Sequence, residues 1–479
     1  MYTFKKCLTK ALGLISCGAL LFFVSCASTK LVPPEAVSPA APPQTFAERL
    51  ALVLETGNID GALALFDDLS PEEAEQRGNR RLKASILISA GRLDEARAIA
   101  DVLISEDGSD VESRFILANI EGASGKPKER RLMLEKIVEE VPAHTPSLNA
   151  LGHISREAKS FRTAASYFDR VLAIEPDNIR AIEGRAQVFF MERNYQKAEE
   201  LFNKLVALYP EHAEAYGERG HFYRETGNMS RALEDLETAK RLDPFNPWTA
   251  YDKGCVLLKM GKRQEALAEF DYASKLDPNK FIFYVYSAGI RDELEDVDGA
   301  AHDFEAIVRL RPDYYFAFEG LGVQQMKKGL YANAAQSFAA AYKSAPDENN
   351  YALLAAVNML KSGVKLNEVK AFLDSVMRKV DRSKLDYHVL RLFFDLSGDS
   401  EVARRIDKEK SERIKAQMLF YLANYYDIKG NNLMADKFFI EFREMKRMDL
   451  VEWRLNEWIL KTRNIQIGGV NVGGGGEKG

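Results

Sequence analysis

The chain is poor in cysteine and histidine and has no surplus of one charge. Its four cysteines are Cys7, Cys17, Cys26 and Cys255, three of them within the first 26 residues. That distribution excludes a disulfide scaffold for the folded length, and Cys255 reads as a small buried apolar residue. The 66 basic and 71 acidic residues leave a net charge of −5. A nucleic-acid footprint needs a basic face or stripe, so nucleic acid is not an expected partner. None of His144, His153, His212, His221, His302 and His388 pairs with another at metal-ligand spacing. HExxH, CxxC and a glycine-rich loop between strand and helix are all absent, which removes the common metal, redox and phosphate-binding signatures. What remains is ordinary for a folded chain: 46% hydrophobic, 29% charged and 10% aromatic residues over 479.

The first 26 residues form an export segment. Lys5, Lys6 and Lys10 precede an uncharged apolar run from Ala11 to Val24. That run is shorter than the roughly 20 apolar residues of a spanning helix, as in a signal peptide. It closes on FFVSC, which resembles the lipobox of bacterial lipoproteins, with Phe23 where leucine is usual. The resemblance implies cleavage before Cys26 and lipidation of its thiol. Ordinary cleavage after Ala27, using Ser25 and Ala27 as the small pair, is the alternative. Residues 27–44 then carry Pro33, Pro34, Pro39, Pro42 and Pro43, a semi-extended spacer.

Proline next supplies a clock. Pro142, Pro176, Pro210, Pro244, Pro278, Pro312 and Pro346 are separated by six intervals of 34 residues. Small residues keep the same time at Gly152, Ala186, Gly220, Gly254, Ala288 and Gly322. So do alanines at 62, 96, 164, 198, 232, 266, 300 and 334, most followed four places later by Phe or Leu, such as Phe168 and Leu236. Each period reads as two helices. The first ends at a glycine turn such as Gly227-Asn228, and the second is stopped by Asp-Pro or its equivalent. Thr45 and Glu48 supply a capping box for the first helix. In the third copy Arg130 takes the alanine's place.

A small residue, an alanine, an aromatic and a closing proline at period 34 resemble the tetratricopeptide repeat (TPR). The resemblance implies an all-α fold, a right-handed α-solenoid of helix-turn-helix repeats. Nine units are expected over 45–348 and divergent units over 349–447, where Gly398 arrives one residue late. A capping helix is expected over 448–463, with Trp453 and Trp458, and a glycine-rich disordered tail over 464–479.

The repeats use nearly all the folded length, so no room is left for a catalytic domain, and neither enzyme chemistry nor a cofactor or metal is expected. The family lines its concave surface with the first helix of each pair. Carried over by register, that surface holds Asn149, His153, Arg156, Gln187, His221, Arg224, Trp248, Tyr251, Asp252, Tyr286, Asp292 and Phe316. Exposed aromatics beside arginine and histidine suit a peptide-binding strip. The carboxylate clamp of chaperone-binding relatives is absent, since Phe115, Ala150 and Gly184 stand at matching places.

The expected function is a protein-interaction scaffold or assembly factor of the bacterial cell envelope, facing the periplasm on a lipid anchor. Its partners would be proteins or peptides, plus the membrane through Cys26. A soluble periplasmic or secreted form is the alternative localisation. A small-ligand carrier supporting an envelope transporter is the alternative function, which a deep aromatic pocket would favour.

Overall fold

The computed structural model describes residues 45–55 and 57–465. The expected export segment with Cys26, the expected spacer of 27–44 and residues 466–479 of the expected disordered tail lie outside them. The described residues are helical, with no strand among them, and divide into two compact units, 45–276 and 277–465.

The N-terminal unit is a stack of seven helix pairs. In chain order they are Phe46–Glu55 with Ile59–Ala64, Arg77–Ser89 with Leu93–Glu106, Val111–Ala123 with Pro127–Glu140, Thr145–Glu157 with Phe161–Ile174, Ile179–Met191 with Tyr195–Leu208, Ala213–Thr226 with Met229–Leu242, and Pro247–Lys259 with Arg263–Leu276. The first member of each pair is called A below and the second B. Thr45 and Glu48 form the capping box that opens the first A helix, with reciprocal bonds of 3.0 and 3.2 Å. The first B helix departs from the pattern. It tightens into a 3₁₀ turn over Leu65–Asp68 and is followed by a single capped turn, Pro71–Ala74.

Three sequence features build each pair. Proline drives the preceding residue out of helical geometry, so B helices end on extended residues, as at Glu175 (φ −127°) and Asp243 (φ −131°). Asparagine then opens the next A helix, the side chains of Asn178 and Asn246 accepting backbone N–H groups. The A-to-B turn needs one left-handed residue, and Gly57, Gly91, Gly125, Gly227 and Gly261 supply it with φ between 70° and 92°. Lys159 (φ 57°) and Arg193 (φ 61°) adopt the same conformation at the same 34-residue register, without glycine. The backbone keeps the period where the sequence drops it.

The in-phase alanines at 62, 96, 164, 198, 232 and 266 are fully buried. Phe168 shows why small residues sit opposite them. A methyl group added at Gly152, on its own pair's A helix, would come within 2.6 Å of the Phe168 ring. One added at Gly184, on the next A helix, would come within 2.3 Å. The ring therefore wedges between consecutive pairs, in contact with both A helices. In the third pair the sizes are exchanged: the Arg130 stem lies over Gly122, and its Nη2 donates to Asn119 at 3.3 Å.

The C-terminal unit contains five pairs and one further helix. The pairs are Phe281–Glu293 with Val297–Leu310, Tyr315–Lys327 with Tyr331–Ser344, Asn349–Lys361 with Leu366–Met377, Leu385–Asp395 with Asp399–Lys408, and Glu412–Ile428 with Asn432–Glu444. Phe338 packs against Gly322 as Phe168 does against Gly152. Glu295 (φ 58°) takes the left-handed turn position at its register, beside Gly329 and Gly363. The late arrival of Gly398 coincides with two left-handed residues in one turn, Leu396 (φ 52°) and Gly398 (φ 95°). The last helix, Val451–Thr462, buries Val451, Leu455, Ile459 and Leu460.

Candidate functional site: the A-helix faces

A-helix residues of the N-terminal unit meet across pairs at a separation of 31. The period is 34, and a helix brings residues three apart onto one face. Arg156 donates to the side-chain oxygen of Gln187, and Gln187 Nε2 donates to Glu218 at 2.8 Å. His221 Nδ1 stands 3.3 Å from Asp252, and Arg224 Nη1 reaches the same carboxylate at 2.7 Å. At the other end Asn149 Nδ2 donates to Asn178 at 3.2 Å. The result is a polar ladder running over four A helices, from 145–157 to 247–259.

Burial sets the electrostatics of this ladder. It pushes the Glu183 carboxyl up to about 8, reinforced by Glu218 and Glu214. It also pushes the His153 imidazole down to about 4, helped by Arg156, and the ring packs edge-on to Phe168 at 5.2 Å. Burial is the largest influence on His221 as well and opposes its charged form, but the bond to Asp252 together with the charges of Asp252 and Glu218 raises that histidine. Oδ1 of Asn149 and Nε of Arg156 are buried without a hydrogen-bond partner among the described residues.

Of the twelve residues expected on a binding surface, His153, Arg156, His221, Trp248, Asp252 and Asp292 are half-buried, and the other six are buried. The expected strip of exposed aromatics is corrected accordingly. Tyr251 packs 5.9 Å from Phe270, Phe316 stacks 4.1 Å from Tyr315, and Tyr286 is buried. Trp248 follows Pro247 in the first turn and sets its indole edge-on to Tyr251 at 5.6 Å. Asn149, Gln187 and Arg224 are also buried, because they bond the neighbouring pair. The register placed these residues on the A helices but did not show how deeply their side chains sit. It also missed Glu183 and Glu218; their acidic character inside a face of arginines was the available signal.

In the C-terminal unit the corresponding face is taken by the chain itself. Arg454, on the last helix, donates to Asp292, which also receives Gln324 at 2.7 Å and Lys327 at 3.2 Å. The second arginine nitrogen reaches Glu319 at 2.9 Å, and Tyr351 donates to the other oxygen of Glu319 at 2.6 Å. Burial alone would raise the Asp292 carboxyl, but Arg454 and Lys327 hold it at about 2. Farther along the helix Lys461 pairs with Glu295 at 2.6 Å, and Arg463 pairs with Asp427 and Asp436. Glu452 accepts from Tyr421 at 2.6 Å and Gln417 at 2.9 Å. The last helix does pack on the final pair, through Trp453 beside Phe442 and Asn456 bonded to the carbonyl of Phe439. It also crosses the A-helix face of its unit, which a terminal cap alone does not require.

Among the described residues no His, Cys, Asp and Glu group is placed to hold a metal ion, and no helix is long and apolar enough to cross a membrane. A cleft of about 550 Å³ is lined by Glu175, Pro176, Asp177, Asn178, Ile179, Arg180 and Tyr209. It lies at a B-to-A turn and has one aromatic side chain, unlike the aromatic pocket a small-ligand carrier would favour.

By sequence, the family described as the ETO1 C-terminal domain matches residues 83–322. No curated protein matches the chain. Among solved structures, a tetratricopeptide repeat protein from Parabacteroides merdae ATCC 43184 is similar at 20% identity and a TM-score of 0.39, covering 50% of this chain and 96% of that one. The Cut9–Hcn1 hetero-tetramer of the APC/C is similar at 17% identity and 0.46, covering 65% and 62%. PilF of Pseudomonas aeruginosa follows at 19% and 0.37, covering 42% and 92%. The all-α repeat architecture is read from the chain's own helix pairs.

Proposed function

From the premise that this chain belongs to the ETO1 C-terminal domain family, we propose that it is an interaction scaffold whose N-terminal unit binds an extended segment of another protein. TPR-like repeats bind proteins or peptides in general, on surfaces spread over several units. The supporting observation is the polar ladder. Arg156, Gln187, Glu218, His221, Arg224 and Asp252 form a row over several helix pairs, and Oδ1 of Asn149 and Nε of Arg156 have no hydrogen-bond partner among the described residues. A buried polar group left unmet costs about 1–3 kcal/mol. Backbone amides of an extended peptide offer donors and acceptors along such a row.

The proposed place is the bacterial cell envelope, with Cys26 as a lipid anchor and 27–44 as a spacer, a reading supported by the lysine-led apolar run, the lipobox-like FFVSC and the five prolines that follow. TPR-like repeats are in general non-catalytic, and we assign no reaction to this chain. The ladder is tested by capturing partners from envelope extract with the wild-type chain and with Arg156→Ala/Asp252→Asn. Loss of a specific partner at unchanged far-UV circular dichroism is expected; retention of every partner would refute the reading. The anchor is tested separately, since Cys26→Ser should move the protein from membrane to soluble fractions, and unchanged fractionation would remove that part.

A further inference from the structure

The C-terminal unit seats its last helix in a way its other contacts do not. Elsewhere in that unit, neighbouring helices meet through fully buried alanines and phenylalanines, as at Ala334 and Phe338. Val451–Thr462 buries Val451, Leu455, Ile459 and Leu460 in the same way, and adds charged contacts to its receiving face. Asp292 and Glu319, with side chains 12% and 8% exposed, converge on Arg454. Glu295 takes Lys461 at an exposed edge, where the two side chains are 70% and 50% exposed. Asp427 and Asp436 take Arg463. Around Asp292, Glu295 and Glu319 the face supplies the acids and the helix the bases, whereas Glu457 of the helix accepts from Arg443 of the last pair at 2.8 Å.

The fit is also incomplete. Glu452 is fully buried, yet its Oε2 has no hydrogen-bond partner among the described residues, and neither does Oδ1 of the fully buried Asn456. The helix hangs on a short connection, 445–450, in which Lys446 is left-handed and Arg447 pairs with Asp449 at 2.8 Å.

We infer that the acidic A-helix face around Asp292, Glu295 and Glu319 is a docking site for a basic amphipathic helix of a partner protein, held closed by the chain's own 451–462 helix. The partner helix would carry an arginine or lysine at the place of Arg454, another about two turns on at that of Lys461, and apolar residues matching Leu455 and Ile459. Tethering gives the resident helix an effective concentration on the order of millimolar, so a competing helix gains access only by binding better or when the resident is weakened. This site is separate from the ladder of the N-terminal unit and does not depend on it.

The probe is a labelled synthetic peptide of residues 449–464, added to the full chain. Wild type should bind it weakly, and Arg454→Glu/Lys461→Glu should bind it at least tenfold more tightly. The same variant should discriminate against a peptide that carries both charge reversals. In wild type, excess peptide should speed amide exchange in the chain's own 451–462 segment, a readout that holds even if the variant fails to fold. Equal weak binding by a folded variant, or no change in exchange at millimolar peptide, would overturn the inference. Dimerisation of the variant with no gain in peptide binding would also overturn it, because a second copy would then be the occupant.

Discussion

The two units solve one problem in opposite ways. Both line their A helices with charged and polar side chains that a helix pair cannot satisfy alone. In the N-terminal unit the partner is the next pair, 29 to 31 residues along, as for Asn149 with Asn178 and His221 with Asp252. In the C-terminal unit the next pair contributes too, as for Tyr351 with Glu319, but a helix 135 to 166 residues away joins it, as for Glu319 with Arg454 and Glu295 with Lys461. Identical repeat geometry therefore leaves room for local and for non-local closure. The first should tolerate loss of a distant segment better than the second.

That contrast can be broken at its strongest point first. Phe168→Ala removes the wedge between two pairs and should cost about 3–5 kcal/mol, measured by denaturant unfolding, with exchange protection lost first around residues 145–191. Arg454→Ala leaves two buried carboxylates without their shared cation and should cost about 3 kcal/mol. Its loss of protection should appear around Asp292 and Glu319 as well as in the last helix, and should spare 145–259. Equal loosening of both units by Arg454→Ala would erase the distinction.

Acid and base sharpen it further. Asp292 lies below its ordinary value at about 2, so the folded state favours its ionised form. That contribution is present above roughly pH 4 and is lost as pH falls toward 2. Glu183 lies above its ordinary value at about 8, so its contribution is complete below roughly pH 4.5 and lost as pH rises through 8. His153, lowered to about 4, adds a loss to the N-terminal unit as pH falls from roughly 6.5 to 4. Amide exchange followed across pH should show the N-terminal unit loosening at pH 8–9 while the docked helix stays protected. The smallest effect is at the turns. Arg193→Gly should relieve left-handed strain and stabilise by about 0.5 kcal/mol net of the added unfolded freedom. At Glu295 the same change also removes the pair with Lys461 and should gain nothing by thermal unfolding.

The repeat was legible because it is written in residue types that backbone geometry demands: Pro176 and Pro244 before the A helices, Gly227 and Gly261 at the turns, Ala164 and Ala232 at the closest approach. Lys159, Arg193 and Glu295 were not legible as turn residues, since the pairs around them impose a conformation they do not signal. The face was legible from register, which correctly put Asn149, Gln187, His221 and Asp252 on neighbouring A helices. Depth was not, because burial of Tyr251 and Phe316 depends on the turns and rings packed over them. Asp292 was singled out, yet nothing near it in sequence names Arg454; a contact over 162 residues leaves no periodic trace. The bases between Trp453 and Arg463 were the available hint.

The seat of the last helix has a consequence for how the chain is made. Pairs of the N-terminal unit can close their side-chain bonds as soon as the following pair emerges during synthesis. The acids at 292, 295 and 319 must wait until residues 454–461 have been added. Until then that half of the polypeptide presents an unfinished acidic surface to whatever meets it first.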